Sequence, residues 1–196
     1  GFCCIPSHLN YQQVIEGFYN MYNEMPFQPK NEKADLQSIK EKIPFSLDFM
    51  HHIFGEQIEL GLDYLKILLL YPTQILPILC LVSKERVTGK TTFIKWLKCI
   101  FGLNMTYIKG DSFGSQFNAD WTLMLIVAID EVFFDKKEIT ERLKYLSTTD
   151  KDKKEAKGKD REEVDFFAKF ILCSNNEDNF IQIDENEVRF WIIKIK

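Results

Sequence analysis

The sequence predicts an α/β domain built on a five-stranded, mainly parallel sheet flanked by helices, with a small helical lead-in ahead of it. Three observations carry that prediction. Short continuous apolar runs recur through the second half of the chain, as expected of strands buried on both faces. Between them lie segments whose apolar residues fall three and four apart, the period of a helix face. Two of the runs end in polar or charged groups, and in open α/β sheets the carboxyl ends of the strands are where ligands bind.

Residues 1–50 form the lead-in, punctuated by Pro6, Pro26, Pro29 and Pro44 and predicted to be helical over 11–22 and 33–42. The main domain is placed at 51–196. Pro44 opens a segment running to Tyr71, in which Ile58, Leu62, Leu65 and Leu69 share one helix face until Pro72 stops it. Residues 78–82 read as a buried strand. A polar loop follows, then a helix over 91–101 with Phe93, Leu97 and Ile100 on one side. Strands are predicted at 105–108 and 123–129, the second ending in Asp130-Glu131. The stretch 137–146 is an amphipathic helix through Ile139, Leu143 and Leu146. A charge run fills 150–165. Residues 166–173 read as another buried strand ending in Ser174-Asn175-Asn176, and 189–195 as the last.

Composition narrows the function. With 196 residues, 45% hydrophobic and 28% charged, the chain is neither disordered nor fibrous. A net charge of −4 excludes a histone-like protein but not a local basic patch. Arg86, Arg142, Arg161 and Arg189 are its four arginines. The five cysteines include no Cys-x-x-Cys, and Cys80, Cys99 and Cys173 lie in apolar runs, so a reducing, cytoplasmic compartment is expected. Cys3, Cys4 and His8 lack a complementary ligand pair, and His51 and His52 are adjacent, which is poor geometry for one metal site. No signal peptide is recognisable. The apolar stretch 67–82 is broken by Pro72, Thr73, Gln74 and Pro77, so no membrane association is expected. A start on Gly1 rather than Met predicts a piece of a longer protein.

Four elements carry chemistry. The first is Lys84-Glu85-Arg86-Val87-Thr88-Gly89-Lys90-Thr91-Thr92, between a buried strand and an amphipathic helix. Backbone N–H groups and a helix N-terminus converge there, as phosphate binding requires. Lys90 would reach β- and γ-phosphates, and the Thr91 hydroxyl would ligate Mg²⁺. Lys84 stands where the pattern G-x-x-x-x-G-K-[ST] has its first Gly, and Val87 is large for such a loop. The competing reading is an ordinary strand-to-helix turn. The second element is Asp130-Glu131, two carboxylates delivered by a buried strand, Asp130 for the Mg²⁺ shell and Glu131 to polarise a water. A solvated strand end is the alternative. The third is Asn175, an amide able to orient that water, although Asn is common at strand ends. The fourth is Arg189, either a clamp on a transferring phosphoryl group or one half of a surface ion pair with Glu185 or Glu187. The charge run mixes both signs. It reads as a solvated hairpin or loop, or as a hairpin whose tip at Lys157 and Lys159 touches a nucleic-acid backbone.

In order and spacing these elements resemble the superfamily 3 helicase ATPases of the AAA+ class, and among them the primase–helicase proteins of phages, plasmids and integrated elements, including the poxvirus type. The resemblance covers roughly residues 50–196. Thr88-Gly89-Lys90-Thr91-Thr92 is similar to the first motif, Ile129-Asp130-Glu131 to the second and Cys173-Ser174-Asn175-Asn176 to the third. Leu146-Ser147-Thr148-Thr149-Asp150 followed by Lys157-Gly158 resembles the segment whose hairpin lysine contacts single-stranded DNA. Glu187-Val188-Arg189-Phe190 resembles the arginine segment that reaches the neighbouring subunit's site; the family often has paired arginines there, where Val188 precedes a single Arg189. The resemblance implies an AAA+ P-loop NTPase fold and an Mg²⁺–ATP-dependent ATPase module of a DNA helicase in replication. It also implies assembly into a hexameric ring, Asn175 as sensor and Arg189 acting in trans. Two other readings stand beside it. One is a degenerate AAA+ scaffold that binds nucleotide or DNA without turnover, favoured by Lys84 and Val87. The other is a small-molecule P-loop kinase, which should show a lid with several arginines where this chain offers Arg142 and Arg161.

Overall fold

Ile78–Val82 is apolar and buried at every position, so both its faces need covering. The computed structural model, which describes residues 1–28, 35–132, 137–184 and 186–196, shows how. Numbered in chain order, β1 (Phe2–Cys3), β2 (Val14–Ile15) and β3 (Phe18–Asn20) come first. Helices α1 (Leu36–Lys42), α2 (Pro44–Phe54) and α3 (Ile58–Leu70) follow, then β4 (Ile78–Val82), α4 (Lys90–Phe101), β5 (Met105–Lys109), the short α5 (Gly110–Phe113), β6 (Ile126–Asp130) and α6 (Lys137–Leu146). The chain closes with β7 (Lys151–Lys154), β8 (Glu162–Asp165), β9 (Lys169–Ser174) and β10 (Phe190–Lys194). The central sheet has five strands in the order β10-β4-β9-β6-β5, every pair parallel. This is the expected α/β fold.

Because strand side chains alternate faces, each strand feeds two cores. Leu79, Leu81, Ile126, Ala128, Ile171 and Cys173 meet α2, α3 and α4 through Ile53, Phe54, Leu68, Phe93 and Leu97. Ile78, Cys80, Val127, Ile129, Phe170 and Leu172 meet Phe113, Trp121, Leu143 and Leu146 on the other side. Each fully buried Leu, Ile, Val or Phe among them contributes about 1.5–3 kcal/mol.

The lead-in differs from expectation. Residues 11–22 form no helix; they hold a hairpin, β2 against β3, in a three-stranded sheet completed by β1. The reason is local. Glu16 (φ 50°) and Gly17 (φ 84°) form a turn with positive φ at both central residues, the kind that matches strand twist, and Val14, Ile15, Phe18 and Tyr19 are good strand formers. Of the helix expected over 33–42, Leu36–Lys42 is present and residues 33 and 34 lie outside the described residues. Tyr22 and Met25 enter the same core as Phe101 and Phe167, so the lead-in packs on the sheet's helical layer. α2 runs through residue 50. Two strands begin later than expected, at Ile126 and Lys169. The charge run is a hairpin, β7 against β8, with Gly158 (φ 74°) near its tip. Among the described residues no helix is long and apolar enough to cross a membrane.

Candidate functional site

Parallel pairing brings the carboxyl ends of β4, β9 and β6 side by side. Lys90, Asn175 and Asp130 come from three different parts of the chain, and this register makes them neighbours. A cavity of about 550 Å³ opens there, lined by residues 86–92, Asp130, Glu131 and 173–175.

The loop after β4 is shaped by side chains of its own. Ser83 Oγ donates to the Glu85 carbonyl at 2.7 Å and shares a hydrogen bond with Thr88 Oγ1 at 2.9 Å. The Lys90 ammonium donates to Ser83 Oγ and, at 3.1 Å, to Thr88 Oγ1. An ammonium has three donors, so one remains for a ligand. Burial lowers the Lys90 pKa from its ordinary value, while the nearby Cys173, Asp130 and Glu177 act in the opposite direction. Gly89 precedes α4 at φ 93° and gives the helix no side-chain cap. The first N–H groups of α4 are therefore free to meet an anion. The φ of 93° is what requires Gly89, and a Cβ there would also press on the Phe49 ring at 3.3 Å. Thr91 and Thr92 are exposed on the cavity wall. Lys84, at the position of the missing first Gly, donates its N–H to Glu177 Oε1 at 3.1 Å. Val87 is fully exposed with φ 63°, a conformation that β-branched residues avoid.

Asp130 is half-buried, and its Oδ1 accepts the Glu131 N–H at 2.9 Å. Glu131 turns the chain with φ 55°, and its exposed carboxylate lies 3.8 Å from the Lys109 ammonium. The turn is fixed from the next strand: the Val132 N–H donates to the Cys173 carbonyl at 2.9 Å, and Ser174 Oγ donates to the Val132 carbonyl at 2.7 Å. Burial, with the Asp130 charge adding to it, pushes the Cys173 thiol pKa up, so it stays protonated beneath the cavity. Asn175 is exposed, and its amide makes no hydrogen bond among the described residues.

The other expected residues lie elsewhere. Arg189 precedes β10, where its carbonyl accepts the Ile78 N–H at 2.7 Å, so it sits at the amino edge of the sheet. Five residues of strand, roughly 16 Å, separate that edge from the cavity. It faces Glu187 through Nε at 3.4 Å; Glu185 lies outside the described residues. Lys157 and Lys159 are exposed at the hairpin tip, away from the cavity. Asn118 anchors the hairpin's base: its amide nitrogen donates to the Lys153 carbonyl at 2.9 Å and its oxygen accepts the Glu155 N–H at 2.7 Å.

Sequence reasoning missed Ser83, Ser174, Glu177 and His52, whose Nε2 donates to the Thr88 carbonyl at 2.9 Å. The two serines carried a readable signal, a polar residue closing an apolar strand; His52 and Glu177 carried none. His8, considered as a metal ligand, is buried, with Nδ1 on the Leu69 carbonyl at 2.9 Å and Nε2 on the Tyr22 hydroxyl at 2.6 Å. No group of three His, Cys, Asp or Glu converges on a metal position among the described residues.

Residues 81–189, which hold the loop, both carboxylates, Asn175, the hairpin and Arg189, match a family of unknown function, DUF5906. The chain belongs to this family. DUF5906 membership assigns no activity, and no curated protein matches the chain. Among solved structures it is similar to the apo NrS-1 C-terminal region (305–718), with 23% identity and a TM-score of 0.75 over 93% of this chain and 44% of that one. The A form of the same region gives 24% identity and a TM-score of 0.74 over the same shares. A JCV helicase aligns more weakly, with 14% identity and a TM-score of 0.48 over 76% of this chain and 44% of that one. The chain thus spans less than half the length of the NrS-1 region whose fold it shares.

Proposed function

We propose that this chain is an Mg²⁺–ATP-dependent P-loop ATPase of the AAA+, superfamily 3 helicase type, the motor module of a DNA helicase in the replication of a phage or mobile element. One observation carries the reading. Lys90 at an uncapped helix start, Asn175 and the Asp130–Glu131 pair face one cavity from three adjacent parallel strands. The groups present suit a nucleoside triphosphate. Free helix N–H groups and the third Lys90 donor fit phosphate oxygens, and the Thr91 hydroxyl and Asp130 carboxylate are oxygen ligands of the kind Mg²⁺ takes alongside phosphate. When bound, Mg²⁺ supplies charge neutralisation on the β- and γ-phosphates. Lys90 binds the same phosphates, Gly89 and Thr88 let the backbone approach them, and Thr92 lines the wall. Glu131 holds the attacking water and takes its proton, and Asn175 orients it.

Arg189, at the far edge, acts on a neighbouring copy's phosphates, so the active form is a ring, expected to be a hexamer. Lys157 and Lys159 offer the hairpin tip to single-stranded DNA. A second reading rests on Val87: a loop with a β-branched residue at positive φ and no first Gly suits a scaffold that binds nucleotide without turnover. The kinase reading gains nothing, because Arg142 donates to the Phe113 and Ser115 carbonyls and lies over Phe113 and Trp121 instead of lining a lid.

The test is ATP hydrolysis across a wide protein concentration range, with and without single-stranded DNA. Turnover should rise faster than linearly with protein, respond to DNA and fall by roughly 10² or more in Lys90→Ala and Glu131→Gln. Binding of Mg²⁺–ATP without turnover under any of these conditions favours the scaffold. Turnover that survives both substitutions sinks the enzyme reading.

A further inference from the structure

Two ion pairs at the amino edge of the sheet meet on one carboxylate, that of Glu187. We propose that the buried Lys144–Glu187 pair positions Arg189, the arginine that a subunit offers its neighbour. This rests on the reading of Arg189 as acting in trans.

The geometry is specific. The side chains of Lys144 and Glu187 are 7% and 8% exposed, whereas Arg189 remains 43% exposed. Glu187 divides its two oxygens. Oε2 lies 3.2 Å from the Lys144 ammonium, while Oε1 accepts the Arg189 N–H at 3.0 Å and faces Arg189 Nε at 3.4 Å. One carboxylate therefore fixes both the backbone and the root of the guanidinium. Pairing through Nε leaves the two terminal nitrogens of the fork, which have no hydrogen-bond partner among the described residues. Burial alone would raise the Glu187 pKa, but the Arg189 N–H and the two cations outweigh it and hold it below the usual range, so the pair is charged.

α6 anchors Lys144. It follows β6, which ends in Asp130, and its ten residues cover about 15 Å, close to the height of the sheet. Lys144, in its last turn, reaches the amino edge, where it also holds Glu141 at 2.9 Å. Leu143 and Leu146 are buried against the sheet, so the helix cannot slide without disturbing that core.

Turnover of the assembled protein on single-stranded DNA is measured for wild type, R189A, E187Q, the R189A/E187Q double variant and E187D. Glu141 keeps Lys144 partnered in E187Q, and thermal melting and Mg²⁺–ATP binding check that the fold and the subunit's own cavity are intact. R189A should lose roughly 10² or more in kcat. E187Q should lose on the order of 10-fold in kcat with KM for ATP unchanged, and nothing further in the R189A background, because it acts through that arginine. E187D should recover part of the loss. Lys144→Gln should behave as E187Q and add little to it. If R189A matters but E187Q has no effect on kcat, or its effect multiplies with that of R189A, the positioning role is wrong and the arginine reading stands. Absent turnover, or turnover indifferent to R189A, removes both.

Discussion

At its carboxyl edge the central sheet carries Lys90, Asp130, Glu131 and Asn175; at its amino edge it carries Lys144, Lys169, Glu187 and Arg189. Both edges hold buried lysines, and they treat them differently. Lys90 is held by two hydroxyls, beside an exposed Thr91 and Asn175. Lys144 sits between two carboxylates, and Lys169 donates to the Pro72 carbonyl and, at 2.7 Å, to that of Phe167. Backbone strain divides the same way. Val87 and Glu131, two of the three non-glycine residues with positive φ among those described, both line the cavity. One edge keeps donors, hydroxyls and strained turns available to a ligand, while the other, apart from the open end of the Arg189 guanidinium, spends its polar groups on the chain itself. Open groups and strain at one edge are what a binding site needs, and satisfied groups at the other hold the frame that positions it.

The largest effect that would sharpen this contrast belongs to Lys169. It is buried against carbonyls, and desolvation lowers its pKa from the usual 10.5 to about 8. A lysine with a depressed folded pKa is protonated in the unfolded chain but not in the folded one between those two values. The unfolded state binds more protons there, so this group makes stability rise with pH through that window, and below about pH 8 the full penalty of burying the charge applies. Buried thiols and tyrosines with raised pKa act in the opposite sense, so Lys169→Met is the reference. The unfolding free energy of wild type minus that of Lys169→Met should rise by roughly 3 kcal/mol between pH 7.5 and 10.5. A flat difference would mean that the amine is solvated and that the amino edge is not the sealed one.

The sheet was legible because its strands are continuous apolar runs, a signal that needs no partner to be read. The cavity residues were legible for a related reason. Asp130 and Asn175 interrupt such runs abruptly, and Gly89-Lys90-Thr91 sits between a run and an amphipathic helix. The hairpin at 14–20 is not legible because its strands have two and three residues, too short for a period, which leaves the Glu16-Gly17 turn as its one local cue. Ser83's grip on Lys90, Glu177's on the loop, His52's on Thr88 and the Lys144–Glu187 pair depend on how separate elements meet. No local pattern encodes those distances.

A middle-sized effect tests whether the carboxyl edge is truly strained. At φ 63° a valine costs about 1–3 kcal/mol, and glycine adopts that conformation freely. Val87 is fully exposed, so Val87→Gly removes no packing. Against that relief stands the extra freedom of glycine in the unfolded chain, worth about 0.4–1 kcal/mol. Val87→Gly should therefore stabilise the protein by about 1 kcal/mol, read as a higher Tm. Destabilisation by that amount would place Val87 in an ordinary conformation and take away the main support for the scaffold reading.

The smallest effect concerns Lys109 and Glu131, the ion pair at the cavity's mouth. Their side chains are 79% and 71% exposed and 3.8 Å apart, at the outer limit of such a contact. An exposed pair of this kind contributes between nothing and 1 kcal/mol and is screened by salt. Lys109→Ala should change stability by less than about 0.5 kcal/mol, a value that 0.5 M salt removes. The Lys144–Glu187 pair, 7% and 8% exposed, should respond less to salt, and losing one partner there costs more than at the exposed pair although Glu141 and Arg189 keep the remaining group paired. If Lys109→Ala were as damaging as a substitution at Lys144, Glu131 would be a structural anchor held by its neighbour. The freedom to take a proton from water, which the carboxyl edge lends to Glu131, would then have to be sought in another residue.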